Sequence, residues 1–414
     1  MTPAGHRSRL LAATVVVIAT VLGGGISGAP LAGAAAASAA AVSYGVGARS
    51  LSQPSPGGRH VYVSTTGSDT YKQYNRAACL RDPANAGQYQ DRCPEPTASS
   101  PLRTVQAGIR AARPGDVIVV RGGVYAEAIG WGLQRGTAER PIVLQASPGE
   151  RVEVNGTLIM ASADHWTING IRFTYNSAIQ TGQSVVLMSG GDGWSFTNNE
   201  VQGTRGVANV LVNATTASGS TAQLAAAAPR NYLIGGNCIH DNRAVDAAGT
   251  DHNIYLMSSI WSTGGLIERN LIAGAPRGAN IKAAGSTPAT ASGSPRNVTI
   301  RYNTLLSAAS GLTIGLAAEG VEAQRNIIAV PNGSGRYDGA VKTYQLDQPG
   351  KNAVKDSLLS GYARPISEDF GVTRHIFTAR NDTATPFSYT GSIANCTATA
   401  ASATIRSSYG HMAR

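Results

Sequence analysis

Asn169-Gly-Ile171, Asn199-Glu-Val201, Asn237-Cys-Ile239, Asn270-Leu-Ile272, Asn303-Thr-Leu305 and Asn326-Ile-Ile328 are six copies of one pattern: asparagine, a variable residue, a branched aliphatic. The asparagines are 30, 38, 33, 33 and 23 residues apart, too irregular for a helical solenoid of fixed period but natural for stacked β-coils with loops of unequal length. In five copies an apolar or small residue stands three places before the asparagine: Phe196, Ile234, Ile267, Ile300 and Ala323. The Asn169 copy keeps only the later half of the pattern. A parallel β-helix explains this arrangement, because each coil repeats the same inward position and stacked asparagines at a bend hydrogen-bond to one another. Such a stack exposes long, flat faces suited to polymers.

At 414 residues the chain can bury a large core in one elongated domain. Arg7 and Arg9 precede the apolar run Leu10 to Leu22, and the small-residue stretch Ala34 to Ala41 offers Ala-x-Ala sites. Residues 1–41 therefore read as a secretory signal peptide, too short in its apolar part for a membrane span. A secreted, extracellular protein with no membrane segment after cleavage is expected. The formal charge of +10 falls to +8 without Arg7 and Arg9, and no basic run is interleaved with aromatics, which argues against nucleic acid. A basic secreted protein suits an acidic polysaccharide instead.

Four cysteines fit an oxidising compartment. Cys79 and Cys93 flank a polar segment and are placed to staple it. Cys238, between Asn237 and Ile239, should point outward, where Cys396 could pin the C-terminal segment. Three pairings exist for four cysteines, and all stay open at this level.

Residues 42–58 read as a linker, 59–345 as the β-helix domain and 346–414 as C-terminal coils and a capping tail. His60 to Asp69 alternates like a strand, and Pro101 to Arg113 places apolar residues at 102, 105, 109 and 112, the helical spacing. A helix there would cap the open end of the stack. The order "YVSTTGSD", "PLRTVQAGIRAARPGDVIVVRGGVYAE", "GTAERPIVLQASPGERVEVNG" and "WTINGIRF" resembles the N-terminal part of secreted right-handed parallel β-helix proteins of the pectate-lyase-like superfamily. It is similar to family 9 pectate lyases and to their relatives chondroitinase B and family 6 alginate lyases. The resemblance covers residues 60–345 and implies an all-β, right-handed parallel β-helix with an N-terminal capping helix. Its motifs are specific for the fold and weakly so for the reaction, because lyases, hydrolases and epimerases share them.

Each repeat holds a second short strand: Asn209-Val-Leu211, Asn253-Ile-Tyr255, Asn280-Ile-Lys282, Thr313-Ile-Gly315 and Ala340-Val-Lys342. Aligned on the central aliphatic, which must face inward, their third residues form an outward column of Leu211, Tyr255, Lys282, Gly315 and Lys342. The chain has 5 lysines against 29 arginines, and only lysine can be neutralised by burial and act as a base, which singles out Lys282. The resemblance to lyases that use a β-helix lysine points the same way. Arg277 and Lys342 are expected to lower its pKa and to bind substrate, with Asn253 and Asn280 beside them. His252 is expected to bind a carboxylate or carry a proton, against the bland reading of a packed histidine. Tyr255 is expected to protonate the leaving oxygen or to stack on a sugar. Asp241, Asp246 and Asp251 are candidate calcium ligands, since hard cations prefer several carboxylates and pectate-lyase relatives use an aspartate cluster. Turn-forming aspartates are the bland alternative.

The expected activity is β-elimination at a uronic acid of an extracellular polysaccharide by a monomer, with Ca2+ a candidate cofactor. A hydrolase needs two carboxylates across a cleft, which the column lacks, although loop acids Asp192, Asp251, Glu319 and Asp338 could supply them. A uronate epimerase would share the first step, and a non-catalytic carbohydrate-binding surface protein would use the same groove without a base.

Overall fold

Val61, Ile118, Leu144, Ile168, Phe196, Ile234, Ile267, Ile300, Ala323 and Val354 stand directly above one another, each fully buried. The computed structural model describes residues 58–69, 96–180, 184–216, 218–243, 251–285, 294–331, 339–346, 349–369 and 377–412, all within one unit. The expected signal peptide, nearly all of the linker, Cys79, Cys93, Asp246 and Asp338 lie outside the described residues.

Two further inward columns complete a right-handed parallel β-helix. One runs from Tyr125 through Phe173, Ile239 and Leu305 to Leu359, the other from Ile129 through Val210, Ile254, Ile281 and Leu312 to Ile366. Each aliphatic buried in these columns contributes about 1.5–3 kcal/mol of transfer free energy. All strand pairings between coils are parallel. The second and third columns merge into one sheet because Leu271–Ala284 and Thr304–Gly315 run unbroken through the bend between them.

The asparagine ladder forms at the bend between the first and second columns. Asn199, Asn237, Asn270 and Asn303 each donate their backbone N–H to the side-chain oxygen of the next asparagine at 2.9–3.1 Å. Their amide groups reach back to a carbonyl of the preceding coil. One residue in left-handed conformation precedes each rung, including Arg269, Tyr302 and Arg325 near φ +53 to +55°, and it turns the chain sharply. The Asn169 copy is two residues out of register. Asn169 pairs with Thr197, Gly170 takes the left-handed turn at φ +73°, and Ile171 occupies the rung, its N–H donating to Asn199. Beyond Asn326 the ladder continues through Ser357 and Asn381.

The N-terminal cap is the helix Val105–Ala111, which lays Val105, Ile109 and Ala111 on the core. Thr104 caps it, and the Glu127 carboxylate accepts the N–H groups of Val105 and Gln106. Gly108 is required at the contact, since a Cβ there would lie 2.8 Å from Val63 Cγ2. At the other end of the chain, Phe387, Ala398, Ala400 and Ile405 cover the outward residues Leu271, Leu306, Ile327 and Leu358 of the second column. A disulfide between Cys238 and Cys396 fixes this tail, which covers a side face of the stack.

Candidate functional site

The third column faces outward with Ile159, Leu187, Leu211, Tyr255, Lys282, Thr313, Lys342 and Ser367 in register. Tyr255, Lys282 and Lys342 share one line, as expected. Gly315 does not belong to it: Thr313 stands between the two lysines, and Gly315 lies one outward position further along, beside Ala284 and Tyr344. Both Leu312 and Ile314 are fully buried, so either satisfies the inward rule. A slip of two residues preserves the face of every side chain and leaves no trace in the hydrophobic pattern. The glycine has a different use. A Cβ at Gly315 would lie 2.4 Å from Tyr344 Cε1, so the glycine makes room for that ring beside the lysines.

Lys282 Nζ lies 4.6 Å from the Tyr255 ring centroid. Burial first, and the Lys342 charge second, hold the Lys282 pKa down to about 8. The cation–π contact favours the charged form and opposes this shift. Tyr255 points outward by register but is only 7% exposed, covered within a cluster with Leu211, Leu187 and Met257. Its hydroxyl donates to the Gly285 carbonyl at 3.4 Å, and burial with the nearby Tyr344 phenol keeps it protonated. Tyr344 is half-buried, and burial pushes its pKa up to about 12.

His252 sits on the same strand as Tyr255, its ring edge-on to the phenol at 5.2 Å. Burial, then the Lys282 charge, hold its pKa well below 6.5, so the ring is neutral. Its Nδ1 accepts the Ala279 N–H at 3.0 Å, which places the proton on Nε2. Among the described residues that Nε2 proton has no acceptor.

Arg277, expected to lower the Lys282 pKa, is not among the causes of that shift, and its position is set by a different device. The strand Leu271–Ala284 bulges between Ala275 and Ala279, and bulges re-aim side chains. The Asp251 carboxylate pins the bulge by accepting the Arg277 N–H at 3.1 Å, and its other oxygen lies 4.0 Å from the Arg277 guanidinium. Gly278 allows the close approach, since a Cβ there would lie 2.1 Å from the Asp251 carbonyl oxygen.

Asn253 and Asn280 are fully buried in a second ladder. Asn209 donates to Asn253 and Asn253 to Asn280, both at 2.8 Å, and each amide also reaches a backbone carbonyl. These groups hold coils together and do not reach the groove. Of the expected calcium ligands, Asp241 accepts from His240 at 3.1 Å with Arg243 nearby, and Asp251 is committed to Arg277. Asp241 and Asp251 each have a cationic or N–H partner within the protein, and Asp246, the third expected ligand, lies outside the described residues. Among the described residues one trio of potential ligands clusters, Cys238, His240 and Cys396, and its two sulfurs are joined as a disulfide. The loop acids Asp192 and Glu319 are likewise paired, with Arg230 and with Lys351 and Arg296.

Sequence reasoning missed Thr313, whose hydroxyl lies 2.7 Å from that of Ser310, and Tyr344. Tyr344 was within reach, being two residues after Lys342 on one strand and so on the same face.

No protein-family model matches the chain, and no curated protein matches its sequence. Solved structures match its fold. Pectate lyase Pel9A aligns at 12% identity and TM-score 0.48 over 79% of this chain and 77% of that one. XylC in complex with xylose aligns at 12% identity and TM-score 0.50, over 77% and 71%. The A-module of the Azotobacter vinelandii mannuronan C-5 epimerase AlgE4 aligns at 13% identity and TM-score 0.37, over 68% and 91%. At these identities the likeness is one of fold alone, the parallel β-helix.

Proposed function

We propose that this chain is a polysaccharide lyase that cleaves a uronic-acid-containing polymer by β-elimination. The supporting observation is Lys282, a lysine with pKa about 8 in the middle of an outward column and flanked by a second lysine. Near neutral pH a useful fraction of it is unprotonated, which a base requires.

In the proposed reaction the Lys282 amine takes the proton from C5 of the uronate. The electron pair left on C5 is stabilised through the adjacent carboxylate and then forms the C4=C5 double bond as the C4–O bond breaks. Arg277 and the Lys342 ammonium hold the substrate carboxylate and make the C5 proton more acidic. His252, neutral and buried, takes no part in contacting the substrate; its Nδ1 accepts the Ala279 N–H and supports the strand that carries Lys282. The leaving oxygen takes its proton from Tyr344, the half-buried phenol two residues after Lys342, in preference to the more deeply buried Tyr255.

Incubating the protein with a panel of uronate polymers, and following the ultraviolet absorbance of the unsaturated product, tests this reading. Absorbance that appears with one polymer and is unaffected by a chelator is the expected result. New reducing ends without absorbance would identify a hydrolase, and binding without either would identify a non-catalytic protein.

A further inference from the structure

Three of the four tryptophans are withdrawn from water: Trp166 and Trp194 are fully buried, and Trp261 is half-buried. Trp131 is the exception at 47% exposed, in the loop after the short strand Ala128–Ile129. An indole is among the side chains that gain most from leaving water, so one held in solvent needs a reason. The loop that carries it is fixed to the capping helix. The Gln106 side chain accepts the N–H groups of Gly130 and Trp131 at 2.8 and 3.1 Å and donates to the Trp131 carbonyl at 2.7 Å.

Ile129 pairs with Leu158, so Gly130 faces Ile159, the start of the outward column that leads through Leu187, Leu211 and Tyr255 to Lys282. Coils stack at ~4.8 Å, and five steps separate Gly130 from Lys282, which sets Trp131 ~24 Å along the stack from the lysine. Beside the loop runs Arg110, an exposed residue of the capping helix: a Cβ on Gly132 would lie 3.9 Å from its Cγ and Nε. The face of a pyranose that carries only C–H groups packs on an indole, and a guanidinium takes a carboxylate in a bidentate pair. Because Gln106 already holds the loop, seating a sugar there costs little ordering entropy.

We propose that Trp131 and Arg110 form a remote glycan subsite at the capped end of the β-helix, which binds a uronate of the same polymer chain whose reacting sugar lies at Lys282. The substrate is then a long acidic chain gripped at two separate points. The closed stretch at Leu211 and Tyr255 between them needs no contact with it. The inference rests on reading this chain as a polysaccharide-binding protein, as above, but not on the elimination chemistry.

Acrylamide quenching of tryptophan fluorescence reports mainly on Trp131, the exposed indole, and is measured on the full chain carrying Lys282→Ala with decamers of galacturonate, mannuronate and glucuronate. One decamer is expected to cut the quenching at least twofold. By calorimetry that decamer should bind at least tenfold more tightly than it binds the same chain with Trp131→Ala added, and at least threefold more tightly than with Arg110→Gln added. A trimer of the same sugar, too short to span from Lys282 to Trp131, should bind at least tenfold more weakly than the decamer. Quenching unchanged by every decamer, an affinity untouched in folded Trp131→Ala, or a trimer that binds as tightly as the decamer overturns the subsite. The quenching measurement needs no substitution at Trp131 and stands should that variant not fold. Product absorbance, followed on the unsubstituted protein, reports the chemistry separately. Shielding of Trp131 without absorbance keeps the subsite and removes the lyase, and absorbance without shielding does the reverse.

Discussion

The Lys282 ammonium nitrogen stands 4.6 Å from the centre of the Tyr255 ring, on neighbouring coils at the point where the outward column passes from apolar to basic. The ring shields the nitrogen from water on one side, and Lys342 faces it across Thr313 on the other. Both influences are properties of stacking, since the three residues are distant in sequence.

Lys282→Ala is expected to lower kcat on the responsive polymer by about 10²–10⁴-fold. Lys282→Arg should not restore it, because a guanidinium does not give up its proton in a protein. Initial rates and circular dichroism of both variants check this. An unchanged kcat in a folded Lys282→Ala protein would remove the base assignment.

The base must be unprotonated, so activity should rise with pH and level off above about 8, the Lys282 value. Lys342 disfavours the charged form of its neighbour. Lys342→Ala should therefore move the inflection to higher pH, and a pH–rate profile that stays put or moves down would contradict the coupling.

His240 is buried, which lowers its pKa, but hydrogen bonds and charges from Asp241 and Glu200 more than offset this, and the net shift is upward from 6.5. A raised folded-state pKa adds stability that is fully present below pH 6.5 and is lost as pH rises through the folded value. Urea unfolding across pH 5.5 to 9 should show that decline in the native protein. In His240→Asn the slope over the same window should be smaller.

Asn270→Ala removes the acceptor for the Asn237 N–H and the donor to the Ile234 carbonyl, deep in the stack. Leaving such groups unsatisfied costs about 1–3 kcal/mol each. Denaturant unfolding should register a loss of about 2–5 kcal/mol, whereas Asn169→Ala, off the ladder, should cost distinctly less.

The Cys238–Cys396 bond closes a loop with a sequence separation of 158 residues. Cys396→Ser is expected to cost up to about 5 kcal/mol. Limited proteolysis should then cut the tail near residues 387–412 before the β-helix. If the tail stays as resistant as in the native protein, packing alone holds it.

Much of this architecture is legible in the amino-acid order. Asparagine at the ladder positions has a stereochemical reason, a short amide that bonds the next coil at a sharp bend, and the apolar residue three places earlier marks the core. The pattern misleads where another residue meets the same need. Ile171 fills a rung on packing alone, so Asn169 looked like the repeat, and Ser357 continues the ladder with a hydroxyl. The site was partly legible. The lysine column follows from the period of two, but Leu312 and Ile314 are both inward, and nothing local chose between Thr313 and Gly315.

The order of residues by itself determined the fold, the cap and the line joining Tyr255, Lys282 and Lys342, because each depends on short-range periodicity and bend chemistry. Only the tertiary structure decided which Asn residues are spent inside a second ladder, how far Tyr255 is covered, and that Asp251 pins Arg277 outward. It also chose the Cys238–Cys396 pairing. These outcomes depend on loops of unequal length bringing distant coils into one register, and burial, desolvation and like-charge repulsion at Lys282 exist only once those coils are stacked.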